Sequence, residues 1–180
     1  NGKIRNLTFA NSSTATPNIT WNLGDIRVVY NLNMAGARIA MGTSKLAYGD
    51  NAVGNTLTAP AGSGLVSGKF ARYYTASTTG STITAGSLPT ATTTKYPFIS
   101  ADGKDRSMWI TRTNATTAAA GELGVVYNDV AGISNVSITD GTYTADKRTN
   151  ANWVVSDETG TIAASSYRIA VAGDDLFPAI

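Results

Sequence analysis

Residues 25–33 read DIRVVYNLN and carry the clearest structural signal in the chain. Ile26, Val28, Tyr30 and Leu32 take every second position, so they share one face of an extended segment. The other face is mostly polar. This period of two is typical of a half-buried strand in an antiparallel sheet. We therefore predict a strand across this segment, with its apolar face in the core.

The same alternation recurs between Lys3 and Val171 and predicts about ten strands without intervening helices. Turn residues separate these strands, and Asp140-Gly141 is the strongest hairpin signal. No repeat with a period of about 20 to 50 residues is visible, which argues against a solenoid or a propeller. We predict an all-β chain folded as a single antiparallel β-sandwich, Ig-like or jelly-roll-like, with an N-terminal strand extension.

The composition indicates a folded and nearly neutral protein. Only 14% of the 180 residues are charged, the formal net charge is +2, and 42% are hydrophobic. Disorder requires low hydrophobicity with high net charge, which this chain lacks. Lys and Arg are scattered singly instead of forming a basic stretch, so we expect no nucleic-acid partner. No apolar run reaches the ~20 residues that a membrane-spanning helix needs.

The residue types that most often carry out catalysis are missing. The chain has no His and no Cys, which removes the commonest general base, the commonest metal ligand and thiol nucleophiles. Acidic residues mostly stand in turn sequences, such as Asp102 in Ala101-Asp102-Gly103-Lys104. No phosphate-binding or dinucleotide-binding motif is present. We therefore expect no enzymatic activity, no cofactor and no metal.

The N-terminal segment reads as a strand set apart from the rest of the chain. Gly2–Phe9 is followed by the polar run 11–17, which would act as a hinge. We accordingly divide the chain into an extension, residues 1–17, and a β-sandwich domain, residues 18–180. A detachable strand suits donation to the open sheet edge of a neighbouring subunit. The alternative is an ordinary first strand that closes the chain's own sandwich.

Apolar side chains at both ends of the chain form the candidate subunit interface. The last five residues read LFPAI, and an apolar tail of this kind is unfavourable in water. We expect it to dock on its own domain or on a neighbour's. The predicted interface residues are Ile4, Leu7, Phe9, Leu176, Phe177 and Ile180.

Tryptophans and glycosylation triplets each have two interpretations. Trp21, Trp109 and Trp153 are candidates for stacking on a sugar, but such residues more often pack in a core or a subunit interface. Asn-x-Ser/Thr triplets are candidate glycan acceptors in a secreted chain, although about three are expected from composition alone. These triplets begin at Asn6, Asn11, Asn18, Asn114 and Asn135.

In layout and composition the chain resembles the secreted β-sandwich subunits of bacterial and archaeal surface filaments, such as pilins assembled by donor-strand exchange. The resemblance rests on the body rich in Thr, Ala, Asn and Gly, and on Gly2–Phe9 with its hinge. It also rests on the first residue, Asn1 instead of Met, which we interpret as the result of leader removal. The resemblance implies a secreted, cell-surface protein that polymerises with copies of itself.

We therefore expect a structural, self-assembling subunit of an extracellular filament or pilus, joined by β-strand contacts between copies. One alternative is a viral structural protein of a capsid, a decoration or a tail tube, because such proteins share the neutral, β-rich composition. Another is a carbohydrate-binding or adhesin domain, in which the tryptophans would contact the sugar.

Overall fold

The computed structural model describes residues 2–11, 13, 15–50, 55–75, 83–84, 87–112, 120–159, 162 and 167–173. Every regular element in these ranges is a β-strand, and none is a helix, which confirms the all-β prediction. The strands are β1 (Gly2–Thr8), β2 (Ile19–Thr20), β3 (Ile26–Asn33), β4 (Arg38–Tyr48), β5 (Thr56–Thr58), β6 (Gly64–Tyr74), β7 (Lys95–Tyr96), β8 (Met108–Arg112), β9 (Gly121–Asn128), β10 (Ile133–Asp140), β11 (Tyr143–Thr149), β12 (Asn152–Thr159) and β13 (Tyr167–Val171).

The first six strands pair in parallel. β1, β3, β4 and β6 lie side by side, and the short β2 and β5 pair with β4 and β3. Parallel neighbours need a connection that returns the chain to the same end of the sheet. Here the chain itself bends round, so that Gly2, Ile26, Leu46 and Phe70 lie at the same place in successive coils. A coil takes about 20 to 25 residues, as in a β-solenoid.

Equivalent apolar residues of successive coils stack in the interior. Leu7, Leu32 and Leu57 are register partners along one wall of the coils, and Leu32 is fully buried. A second row consists of Ile19, Ile39 and Leu65. Backbone hydrogen bonds such as Phe9 N to Asn33 O, at 2.9 Å, extend the stacking beyond the strands. The core of the first half is therefore built from side chains far apart in sequence.

Glycines lie where strands bend from one wall of a coil to the next. Gly42 (φ 60°) and Gly68 (φ 95°) lie within β4 and β6, in a backbone conformation that L side chains rarely adopt. Gly68 is also constrained by its neighbours, because a Cβ there would lie 2.5 Å from the Cβ of Met41. The register of β4 against β6 shifts between Ala40 and Lys45, at the same bend.

The second half of the chain is antiparallel. β9 pairs with β6 and β12 pairs with β9, so they extend the main sheet. β7, β8 and β13 form a separate three-stranded sheet. A hydrogen bond joins the two sheets, since Tyr74 Oη donates to Ile110 O at 3.0 Å. A second bond, from Trp153 Nε1 to Arg106 O at 2.8 Å, joins β12 to the segment just before β8. Buried aromatic side chains fill the space between the two sheets.

Antiparallel pairing, which the alternation predicted for the whole chain, is wrong for β1 to β6. A strand in a stacked coil has one face inside the coil and one face in solvent. It therefore alternates just as a half-buried antiparallel strand does. The coils share apolar positions, not a recognisable repeated sequence. The equal spacing of Leu7, Leu32 and Leu57 along the sequence was the signal from which the coils could have been predicted.

The hairpin predicted at Asp140-Gly141 is confirmed. β10 and β11 pair antiparallel with Asp140 opposite Tyr143, and Gly141 (φ 60°) opens the two-residue connection, as in a type II′ turn. The side chains described along these two strands are exposed or half-buried, and the pair forms a sheet of its own. We call residues 133–149 the hairpin arm.

Candidate assembly surfaces

The main sheet ends in two open edges. Its longest path runs β1, β3, β4, β6, β9, β12, so β1 and β12 each have a single partner among the strands that the structure describes. On an edge strand, every second pair of backbone N–H and C=O groups points away from the sheet, where a further strand can bind. Soluble monomers usually keep such edges short, charged or covered.

β12 is an eight-residue edge that exposes apolar side chains. Val154 and Val155 are 50% and 42% exposed, and they pair with Val126 and Val125 of β9. Val125 is fully buried, whereas its register partner Val155 lies on the outermost strand of the described sheet and is exposed. Asp157, two residues further on, is exposed and gives this edge a negative charge. β12 thus combines two exposed apolar side chains with one exposed charge.

β1 is a seven-residue edge that exposes basic side chains. Lys3 and Arg5 are exposed, and the Arg5 guanidinium lies 5.0 Å from the centre of the Tyr30 ring. Ile4 and Leu7 are half-buried and pack against the core. One side of β1 is therefore fixed to its own chain, while its outer backbone edge remains open.

β13 exposes an apolar row at the edge of the three-stranded sheet. Tyr167, Ile169 and Val171 are exposed, although their register partners on β8 are buried. Alternate residues of a strand share a face. The three side chains therefore form one continuous apolar stripe. The exposure of these side chains results from the position of β13 at the end of the three-stranded sheet.

A network of five charged side chains covers the middle of the main sheet. Glu122, whose side chain is fully buried, accepts hydrogen bonds from Arg27 and from Lys45 Nζ, the latter at 3.4 Å. Glu158 accepts from Lys45 Nζ at 3.2 Å and from Lys69 Nζ at 2.7 Å. No sequence pattern marks this network, because its members come from five different strands.

A glycine makes room for the network. Gly124 lies beneath Glu158, and a Cβ at Gly124 would be 2.6 Å from Glu158 Oε1. Burial alone would raise the pKa of Glu158, but hydrogen bonds from Lys69, Ser156 and Lys45 outweigh it and lower the pKa to about 2. Burial would lower the pKa of Lys45, and Glu158 and Glu122 together raise it. The five side chains of the network therefore stabilise the sheet when they are ionised.

Lys95 lines a cavity of the described structure. The cavity, of about 540 Å³, lies between Leu57, Leu88 and Trp109. Burial lowers the pKa of Lys95, and the carboxylate of Asp105 at 3.9 Å opposes this shift. The amine donates to Ala59 O at 2.7 Å and lies 5.4 Å from the Trp109 ring centre. Through these contacts the buried amine of Lys95 links the coils to the three-stranded sheet.

The structure places half of the predicted interface residues. Ile4 and Leu7 lie on β1, half-buried, and Phe9 lies in the core, where its ring meets that of Trp21 edge to face. Their role in contacts between subunits stays a prediction. The remaining predicted residues, Leu176, Phe177 and Ile180, lie outside the described residues. Sequence reasoning missed Val154, Val155 and the apolar stripe of β13.

The three tryptophans do not form one platform. Each lies on or beside a different strand and donates its indole N–H to a carbonyl of its own chain: Trp21 to Gly24 O, Trp109 to Ala91 O and Trp153 to Arg106 O. The ring of Trp153 packs on Tyr127 at 5.2 Å, and Trp109 is buried. These contacts favour the packing interpretation over a sugar-stacking surface.

The glycosylation triplets fall in different environments. Asn6 and Asn135 are exposed on strands. The amides of Asn11 and Asn18 are engaged, since Asn11 Nδ2 donates to Asn18 O at 2.7 Å and Asn18 Nδ2 donates to Gly36 O at 2.9 Å. Asn114 lies outside the described residues. Whether any of the five carries a glycan stays a prediction.

Within the described ranges, no three of Asp, Glu, His and Cys come together as metal ligands. No helix in the same part of the chain has the length and apolar character to cross a membrane. Comparison with protein-family models, curated proteins and solved structures finds no match for this chain. The class that the fold defines is an all-β protein with stacked parallel coils followed by antiparallel sheets.

Proposed function

We propose that this chain is a structural, self-assembling subunit of an extracellular filament, joined by β-strand contacts between copies. The observation that carries the proposal is the pair of open edges on the main sheet, one of which exposes Val154 and Val155. Each valine that a neighbour covers contributes on the order of 1 kcal/mol through removal of apolar surface from water. The apolar stripe of β13 adds to the surface that a neighbour would cover.

Charge and packing support assembly in different ways. A formal net charge of +2 produces little repulsion between copies packed side by side. In the second half of the chain we propose a β-sandwich. Its two layers are the main sheet and the three-stranded sheet, and the edges at β12 and β13 are not joined to each other.

Since β1 is hydrogen-bonded to β3 of its own chain, the contact that we propose uses the outer edge of β1 and does not require β1 to leave its own sheet.

Sedimentation velocity and electron microscopy of the purified chain test the proposal. We expect wild-type protein to form concentration-dependent elongated oligomers. The variant Val154→Lys/Ile169→Lys should remain monomeric, because a charge on each apolar edge opposes burial. Thr43→Lys, at an exposed corner away from these edges, is the matched control and should assemble like wild type. A wild-type chain that stays monomeric at every concentration would overturn the proposal.

The same images separate filaments from the closed shells or tubes of a viral structural protein. The second alternative, sugar binding, would appear as retention of the monomer on a glycan array. Trp153→Ala serves there as a probe, because Trp153 is only half-buried.

A further inference from the structure

We propose that assembly is head to tail, with β12 of one copy pairing with β1 of the next, so that the main sheet continues from subunit to subunit. This inference rests on the proposed function and specifies its contact. The partner is a second copy of this chain. The two strands are the opposite ends of one six-strand path, and they are eight and seven residues long. Edges of nearly equal length can pair along their whole extent.

The charges of the two edges are complementary. β1 reads GKIRNLT, with Lys3 and Arg5 and no acidic residue, whereas β12 reads NWVVSDET, with Asp157 and Glu158 and no basic residue. Asp157 shares a face of β12 with Val155, and Lys3 lies on the opposite face of β1 from Ile4, so these charges act between whole edges and not as directly opposed pairs. Edges of opposite charge attract each other, and edges of like charge repel. Pairing of β1 with β1, or of β12 with β12, is therefore disfavoured. Only the mixed contact is favoured, which sets the polarity of the assembly.

The apolar rows lead to the same pairing. Leu46, Phe70, Val125 and Val155 are successive register partners across the main sheet, and exposure begins only at Val155. A strand placed beyond β12 would cover this last member of the row. On β1 of an incoming copy, the half-buried Ile4 belongs to the interior face. An added β1 therefore extends the core as well as the backbone hydrogen bonds.

Strand directions allow the contact to repeat. β1, β3, β4 and β6 are parallel, β9 is antiparallel to β6, and β12 is antiparallel to β9. β12 therefore runs in the same direction as β1. A second copy stacked in the same orientation presents its β1 parallel to this β12, and its own β12 is left open for a third. A repeated contact of this kind is heterologous and produces an open-ended polymer.

Charge reversal tests the pairing with two variants that should fail alone and assemble together. Lys3→Glu/Arg5→Glu makes the β1 edge acidic. Asp157→Lys makes the β12 edge basic, because Glu158 is already paired with Lys45 and Lys69. Each variant by itself gives both edges charges of the same sign, so we expect its critical concentration for assembly to rise about tenfold. An equimolar mixture restores opposite charges at both contacts and should assemble near the wild-type concentration.

The matched control is Lys104→Glu/Lys147→Glu, which reverses two exposed charges away from both edges and should assemble normally.

Cross-linking tests the same contact if a charge-reversed variant does not fold. The chain has no Cys, so Lys3→Cys and Asp157→Cys each introduce a single thiol. A short bis-maleimide should join the mixed pair and give little product from either protein alone.

The outcomes separate the two proposals. If wild-type protein never assembles, the proposed function fails, and the pairing fails with it. If wild-type protein assembles but the reversed variants also assemble alone at the wild-type concentration, the β1 to β12 contact is overturned while self-assembly stands. Equal cross-linking of like and unlike thiols would also overturn the contact.

Discussion

The five-residue charge network shows how single residues hold the main sheet together. Glu122 is buried between Arg27 and Lys45, so its charge is compensated where water does not reach. A buried pair of this type costs several kcal/mol if one partner is lost. Glu158 is less buried and accepts the remaining lysine contacts above Gly124. Of the two carboxylates, Glu158 is the one that can be changed without leaving a buried charge alone.

Glu158→Gln should make stability depend less on pH. The folded-state pKa of about 2 is below the ordinary value of 4.5, so ionised Glu158 stabilises the fold fully above pH 4.5. That contribution declines as the pH falls from 4.5 toward 2. We expect the variant to lose about 1 kcal/mol of unfolding free energy at neutral pH, since the site is partly exposed. Urea unfolding measured from neutral pH to about pH 3 should show this difference shrinking.

Asp157→Asn is the control for this experiment, because Asp157 is the adjacent acidic residue and lies outside the network. Its unfolding free energy should match that of wild type at neutral pH. A Glu158→Gln variant whose deficit is the same at every pH would contradict the assigned ion pairs.

Among the elements, the hairpin arm is the one most loosely joined to the body. An isolated two-stranded hairpin is only marginally stable in water. At its base, Asn150 N donates to Gly132 O at 3.0 Å, and Ser134 Oγ donates to Asn150 Oδ1. These bonds hold the two ends of the arm side by side. The body therefore does not depend on the arm to close its own chain.

Trypsin should cut the free monomer first in the hairpin arm, at the exposed Lys147 or Arg148, and leave the body intact. Replacing residues 133–149 with two glycines should shift the melting temperature by no more than about 3 °C. It should also leave assembly unchanged, because the arm contains neither open edge of the main sheet. Mass spectrometry of the first cuts and sedimentation of the shortened chain provide the measurements. Loss of assembly on shortening would identify the arm as the subunit contact.

For the molecule as a whole, stacked coils imply that stability is unequal along the sheet. An interior strand such as β4 has neighbours on both sides, whereas β1 has one. In a stacked architecture each unit is stabilised mainly by its neighbours, so the end coil opens most easily. The β1 edge that is proposed to bind a second copy is therefore also the least protected part of the coils.

Amide hydrogen exchange should detect both effects. In the monomer, we expect the amides of β1 and the outward amides of β12 to exchange much faster than those of β4 and β6. In the assembled protein the β1 and β12 amides should slow, and those of β4 should not change. Exchange measured by mass spectrometry on monomer and polymer makes the comparison. Unchanged β1 exchange in the polymer would contradict strand pairing at that edge.

The strands themselves could be predicted from the sequence, and the candidate surfaces only in part. The alternation in residues 25–33 placed β3, and Asp140-Gly141 placed the hairpin arm. Lys3 and Arg5 are visibly basic, and Asp157 and Glu158 visibly acidic, but nothing local indicates that they lie at opposite edges of one sheet. Which strands are outermost depends on all the other pairings.

The sequence by itself determined the all-β class, the position of most strands and the presence of the β10 to β11 hairpin. These properties depend on local preferences and on which side chains avoid water, and both are encoded within a few residues. Only the tertiary structure decided that β1 to β6 pair in parallel coils, that five charges meet across the main sheet, and that β1 and β12 remain open. A half-buried strand alternates in the same way whatever the direction of its partner, so pairing direction follows from the path of the whole chain.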